Sequence, residues 1–466
     1  MVERGDVVVV GAGVVGLAVA FALLERGIAV TVVGPRSGDH AGQATRAAGA
    51  MLSTFSEVEP GHPAERTRVE TGERVLAHGM YRAWLARIAA AGGVEVPTVS
   101  GTWVLAPAGR AAHLAAIADV ARGAGHPVEE HDARQVPGLE VPATSAGALW
   151  LPTEARVDSG ALMRALTAAV SGHRRCAWLD TAAVSVRAGV VACADGTQAR
   201  AARIVLAAGA GTASLLPESG RDLGVPPVLA GRGVGVTLNA PAVSADRVVR
   251  TPNAAFACGV HLVPRDDGCV YLGGTNRLTT TPDPSRPATL DELAVLAGDA
   301  AHLLDPALGS AELLSPRVGL RPYTLDHLPL IGPTREASLL LATGTYRCGI
   351  LLAPRIAALI ADEITTPGAL DAHPYRALRP MPAPTIGQVL DEGAGEALVE
   401  HLLQGGAHLP PAAAREFAAL AALSLRALGE EDSAGGAAVR RLWRAAPVVE
   451  AVPSLYALAR RLEKSR

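Results

Sequence analysis

Lysine is all but missing from this chain of 466 residues: Lys464, near its C-terminal end, is the only one. Mechanisms that need a buried lysine, such as a Schiff base, a phosphate-cradling lysine loop or a lysine that activates oxygen, are therefore excluded. Aromatic residues make up 3% of the chain, against an abundance of Ala, Gly, Val and Leu, which predicts closely packed layers of helix on sheet. The five cysteines, Cys176, Cys193, Cys258, Cys269 and Cys348, form no CxxC and are odd in number. That usage excludes a disulfide framework and a zinc knuckle, and it suits a reducing, cytoplasmic setting. No apolar run of about 20 residues is free of charge and glycine, and no basic, apolar leader precedes the first strand, so no membrane span or secretory signal is expected. A net charge of −3 with both signs interspersed gives no reason to expect nucleic acid.

One further absence is local. Residues 7–33 read as an apolar strand, a GxGxxG turn, an alanine-rich helix and a second strand. In such a unit Gly11 permits the tight turn, Gly13 lets a pyrophosphate approach the backbone at a helix N-terminus, and Gly16 lets the helix pack on the sheet. Val14 and Val15 open that helix. A dinucleotide site of this kind normally ends its second strand on an acid that holds the adenosine ribose. Here that stretch is TVVGPRS, with Gly34 in the acid's place, followed by Pro35, Arg36 and Ser37. The ribose is thus expected to meet backbone at Gly34, with Arg36 or Ser37 as the polar partner. Arg36 meeting a 2′-phosphate, as in an NADP-dependent reductase, is the alternative.

Further along, residues 43–52 (QATRAAGAML) form a small-residue loop and 70–91 a helix. Strands are expected at 101–106 and 147–152, and a helix at 157–170 begins from Asp158 as its N-cap. Residues 202–211 (ARIVLAAGAG) are an apolar strand entering a glycine turn. Sheet strands follow at 231–238, 259–264 and 269–275, and 289–304 is a helix. Residues 339–364 read strand, glycine turn (TGTYRCG), long apolar helix. PMPAP at 380–384 is a stiff linker, and 385–466 has helical spacing broken by Pro410–Pro411 and by glycine-rich loops. The nucleotide fold is entered three times and the sheet-rich segments lie between, so two discontinuous domains are expected. The first comprises 1–52, 153–222 and 316–379. The second, a substrate domain, comprises 53–152 and 223–315, and 385–466 form an all-helical appendage. The fold class is α/β, with a Rossmann-like domain interleaved with a mixed β-sheet domain.

Taken in order, the segments VVVVGAGVVGLAVA, AAGAML, GALWLPTEARVDSGALMRAL, ARIVLAAGAG, HLVPRDDGCVYLGGTNR, RVGLRPYTLDHLPLIGP and LLLATGTYRCGILLAPRIAALIADEI resemble the D-amino-acid oxidase/glycine oxidase family of flavoproteins, over about residues 6–375. The final helical appendage is not part of the usual pattern. The resemblance implies non-covalent FAD and a substrate held between the flavin and the sheet. It implies hydride removal from the amine-bearing carbon of glycine, an N-substituted glycine or another small amino acid, and reoxidation by molecular oxygen to hydrogen peroxide. Arg321, in GLRP, matches the family arginine that clamps the substrate carboxylate, and a structural salt bridge to Asp326 is its competing role. Arg347, in TYRCG, matches a second arginine of glycine-type substrates. Two cations in one pocket argue for a small anionic ligand. His261 stands where the family has a tyrosine in Tyr-x-x-Pro; it could hydrogen-bond the substrate and titrate near neutral pH.

The same resemblance places Arg46, Ala47, Ala48, Gly49 and Met51 against the pyrophosphate or the flavin, and Val184, Ala208 and Gly209 against the nucleotide half. Gly319, Arg321, Gly344, Tyr346, Arg347, Gly349, Ile350 and Leu351 fall beside the flavin. Thr345 replaces a histidine, and Cys348 is a packed residue rather than a flavin attachment point. Two other readings accompany this one: a pathway-specific oxidase of a modified glycine or aminoacyl intermediate, and a non-catalytic flavin-fold subunit that binds a partner through the appendage. A homo-oligomer is compatible with all of them.

Overall fold

The computed structural model describes residues 6–379, apart from 37–40, 60–63, 188, 217–222, 227, 254–257, 266–267, 280–281 and 325. Ser37, the proline linker and the helical appendage lie outside the described residues.

Two large sheets organise the described residues, beside a small three-stranded one formed by Ala183–Arg187, Val190–Cys193 and Gln198–Arg200. The first has six strands in the order Leu330–Pro333, Leu339–Thr343, Arg203–Leu206, Val7–Val10, Val30–Val33, Cys176–Leu179. All neighbours are parallel except the first pair. Its strands are short and almost wholly apolar because both faces are covered, as parallel strands require. The helix Val14–Glu25 is apolar nearly all round for a related reason: it lies between this sheet and the helix Gly349–Thr365. The long helix Ala64–Gly92 and the helix Ser159–Ser171 complete that layer. Asp158 caps the latter by accepting the Ala161 N–H.

The second sheet has eleven strands, most of them antiparallel. At its centre Val228–Asn239 pairs with Glu312–Thr324 along its whole length. Thr98–Ala106 pairs with Gly147–Val157, and His261–Pro264 with Val270–Gly273. The helix Leu290–Leu303 packs on this sheet and begins at a capping box, Thr289 with Glu292.

Several elements are longer than their apolar patterns suggested, and polar contacts account for two of them. The helix at 64–92 starts six residues before the expected 70 because its first turns are held by ion pairs (Arg68–Glu65, Arg66–Glu70, Arg74–Glu70) at helical spacing. The strand expected at 147–152 runs on to Val157 because Glu154 is buried and accepts the N–H groups of Phe55 and Ser56 at 2.7 and 2.8 Å. The domain limits at 153 and 316 fall inside the strands Gly147–Val157 and Glu312–Thr324, and both strands belong to the large sheet.

Candidate functional site

A cavity of about 510 Å³ lies between the C-terminal ends of the parallel strands and one face of the large sheet. Ligands of open α/β sheets bind at that edge. Of the described residues expected at a cofactor or substrate, all but five line it; the exceptions are Gly16, Arg36, Arg46, Val184 and Gly344.

At the nucleotide end the lining is backbone and small side chains. Gly11 has φ +116, and a Cβ there would lie 2.4 Å from the Ala207 carbonyl oxygen, so the turns after the strands Val7–Val10 and Arg203–Leu206 touch. Gly16 does not face the cavity; its Cβ would sit 1.9 Å from the Gly11 carbonyl oxygen, so it serves the fit of helix to turn. Gly13 differs: a Cβ on it would meet only Thr45 Oγ1, at 3.7 Å. It precedes the first helix without a side-chain cap, and Thr45 Oγ1 accepts the Val14 N–H at 3.4 Å. The helix Gly349–Thr365 also begins at the cavity without a side-chain cap, after Cys348. Two helix N-termini without an N-cap side-chain bond, set among glycine and alanine, fit a dinucleotide with an anionic bridge.

The missing acid has a steric cause. A Cβ at Gly34 would lie 2.9 Å from the Ala12 nitrogen. Both Gly34 backbone groups are engaged: its N–H goes to Leu179 O at 3.1 Å, and its carbonyl accepts from Trp178 Nε1 at 2.8 Å. Arg36 does not line the cavity. Its N–H goes to Asp180 at 2.6 Å and its guanidinium lies over Trp178, 5.1 Å from the ring centre. Arg46 is also turned from the cavity, with its carbonyl accepting from Arg317 Nη1 at 3.3 Å. Val184 is 54% exposed, and Ala182 and Ala183 line the cavity in its stead. Gly344, at φ +74, packs on Thr324 and makes the turn rather than a wall.

At the other end the lining is charged. Arg321 donates from Nη1 to Thr275 O at 3.0 Å and to Asn276 Oδ1 at 3.2 Å. The salt bridge to Asp326 is absent, because Asp326 pairs with Arg379 at 2.6 Å. Among the described residues no carboxylate forms an ion pair with Arg321. Arg347 is placed differently: it is buried between Glu57, 3.0 Å away, and Glu59, and it lies over the Tyr346 ring. The expectation of two uncompensated arginines is thus corrected, since Arg347 has two carboxylates beside it. Burial alone would raise the Glu57 carboxyl, but Arg250, Arg347 and Arg74 outweigh it and hold the group well below the usual range.

His261 is buried on its strand, and its Nδ1 is 2.9 Å from the Gly259 carbonyl oxygen. Burial pushes its pKa from 6.5 down to about 4, assisted by Arg250 and Arg321, so it does not titrate near neutrality as the sequence suggested. Thr345 lines the same region, as does Cys348, whose thiol burial raises to about 11. A thiol so protonated is a poor nucleophile, in keeping with a non-covalent cofactor.

Sequence reasoning missed two parts of this end. Arg250 is 1% exposed and binds Glu57 at 2.6 Å and Asn253 at 2.6 Å, and Asn253 returns a hydrogen bond to Glu57 at 2.8 Å. No motif marks it. The other part did leave a signal, the alternation in GRGVG. Cβ atoms at Gly231, Gly233 and Gly235 would strike Asn276 (2.8 Å), Arg321 (2.0 Å) and the Tyr271 hydroxyl (2.2 Å), so one face of the strand is cleared for side chains to lie across it.

Among the described residues no helix is long and apolar enough to cross a membrane, and no cluster of His, Cys, Asp and Glu could hold a metal ion. The profile of the FAD dependent oxidoreductase family, DAO, matches residues 6–363. Glycine oxidase of Geobacillus kaustophilus is 29% identical over 395 residues, covering 81% of this chain and 98% of that protein. Glycine oxidase of Pseudomonas aeruginosa is 30% identical over 393 residues, covering 80% and 98%. The crystal structure of the Geobacillus kaustophilus enzyme aligns with a TM-score of 0.69 at 27% identity, over 81% of this chain and 99% of that one.

Proposed function

The chain belongs to the FAD dependent oxidoreductase family, DAO, and we propose that within it the protein oxidises glycine, an N-substituted glycine or another small amino acid. Its cofactor is FAD. When bound, FAD supplies the hydride acceptor for the amine-bearing carbon, and molecular oxygen, giving hydrogen peroxide, is the proposed final acceptor.

The observation that carries this reading is the state of Arg321. It is a guanidinium at the cavity wall, fixed by a backbone carbonyl and an amide oxygen and matched by no carboxylate among the described residues. A guanidinium so held binds a carboxylate through its remaining N–H groups. Arg347 is not asked to share the substrate carboxylate, because Glu57 and Glu59 already balance it. The turn after Gly11, with the N–H groups that follow Gly13, would hold the pyrophosphate, and the N-terminus of Gly349–Thr365 would face the ring system. The chain's catalytic task is to orient the substrate and exclude water, and no side-chain base is required.

Purified protein is expected to show a flavin spectrum that bleaches anaerobically with glycine or N-methylglycine. Absence of flavin after reconstitution would overturn the assignment of the cavity. For Arg321→Ala the expected loss in kcat/KM is on the order of 10²–10³-fold, with FAD retained, from removal of a charge-assisted pair worth about 2–5 kcal/mol. An unchanged kcat/KM would remove Arg321 from the carboxylate site.

A further inference from the structure

His261 faces the same space as Arg321 but can do only one kind of work there. A carbonyl only accepts hydrogen bonds, so the contact with Gly259 O puts the ring proton on Nδ1. Its Nε2 then carries a lone pair and no proton. The strand that follows makes room for this edge by lacking a side chain: a Cβ on Gly273 would lie 2.5 Å from His261 Nε2, and His261 and Arg321 both line the cavity. A Cβ on Gly274 would lie 3.3 Å from His261 Cε1 and 3.2 Å from Arg321 Nη2. The imidazole edge and the guanidinium thus converge over one pair of glycines on the same wall of the cavity. The groups packed around the ring are Arg250, Arg321, Glu57 and Tyr271, and burial keeps the imidazole neutral among them.

The geometry points to His261 as the residue that selects substrates by their amine: Nε2 accepts an N–H of a 2-amino acid whose carboxylate is held by Arg321. This deepens the proposed function and rests on it. A tyrosine hydroxyl at this position could donate to a carboxylate, whereas this imidazole edge can only repel one. The substrate class is therefore a small 2-amino acid that keeps at least one N–H, primary or N-monosubstituted. Acids whose nitrogen carries no hydrogen in the neutral-amine form that gives up hydride, as in N,N-dimethylglycine, or which lack nitrogen altogether, gain nothing from His261.

The test uses the FAD-loaded enzyme and its His261→Phe and His261→Gln variants. Glycine, N-methylglycine and N,N-dimethylglycine are compared by steady-state kinetics, and glycine and acetate by equilibrium binding read from the flavin spectrum. His261→Phe is expected to raise KM for glycine about tenfold or more and to narrow the preference for glycine over N,N-dimethylglycine, while acetate binding changes less than twofold. His261→Gln, whose amide oxygen is an acceptor, should restore part of the preference. Equal losses for acetate and glycine, or an unchanged preference in His261→Phe, would overturn the inference. If the wild type oxidises none of the three, the oxidase reading falls, and the glycine-to-acetate affinity ratio across the variants still decides the role of His261.

Discussion

The two ends of the cavity are built from different materials. At the nucleotide end the working parts are backbone N–H groups at two helix N-termini, exposed by residues that have almost no side chain. At the substrate end they are side chains: Arg321, His261, Tyr271 and the buried cluster of Arg250, Glu57, Asn253 and Arg347. In the proposed function a phosphate bridge would be bound by what the chain leaves out, and a small amino acid by what it brings in. The first end tolerates little addition, and the second tolerates little removal.

The largest effect is expected from removal at the charged end. Arg250→Ala deletes a guanidinium that is 1% exposed and touches Glu57, Asn253, Ser53 and Ser56. Removing one partner of a buried pair costs about 3–5 kcal/mol where the other is left uncompensated, and because Glu57 keeps Arg347 and Asn253 the cost here is expected at the lower end of that range. The thermal midpoint should fall by several degrees, measured by calorimetry on the flavin-loaded protein. A midpoint within a degree of wild type would show that the cluster relaxes around its loss, and the contrast between the two ends would weaken.

His261 gives the next effect, read through pH. Its folded pKa of about 4 lies below the ordinary 6.5, so the unfolded chain takes up a proton in that window while the native state does not. Stability from this residue is therefore complete above about pH 6.5 and is lost as pH falls towards 4, by about 3 kcal/mol in all. Urea unfolding of wild type and His261→Gln at pH 7 and pH 4.5 measures it. The variant should lose less on acidification, and parallel losses would place His261 in a more solvated setting than the structure gives it.

The same contrast accounts for what could be read before the fold was known. The nucleotide end was legible because GxGxxG, AAGAG and the apolar strands before them are local, and each glycine's role follows from neighbours a few residues away. The two-sheet α/β architecture followed from the order of such segments. Arg250 was not legible, since its partner Glu57 is 193 residues away and no local pattern links them. Arg347 was placed correctly at the cavity, yet its pairing with Glu57 and Glu59 depends on the loop after the strand Met51–Leu52. The pattern at Gly34 was legible as a missing acid. Its cause, the nearness of Ala12, needed coordinates.

The smallest and sharpest effects should come from two glycines of one motif. Gly16 and Gly13 are three residues apart and equally conspicuous in the sequence, but the structure gives them unlike tasks. A methyl at Gly16 would meet the Gly11 carbonyl oxygen at 1.9 Å, so helix and turn must separate. Overpacking of that kind costs about 1–3 kcal/mol, and Gly16→Ala should destabilise the protein with or without FAD. A methyl at Gly13 meets nothing closer than 3.7 Å, and the backbone there, φ −80 and ψ 178, suits any residue. Gly13→Ala should therefore leave the apoprotein's unfolding midpoint within about a degree and weaken FAD on the order of tenfold, because the added carbon occupies space the pyrophosphate needs. FAD affinity, followed by quenching of flavin fluorescence, separates the two. If Gly13→Ala bound FAD as wild type does, the pyrophosphate would not sit at that helix end, and a nucleotide end bound through absence of side chains would lose its main support.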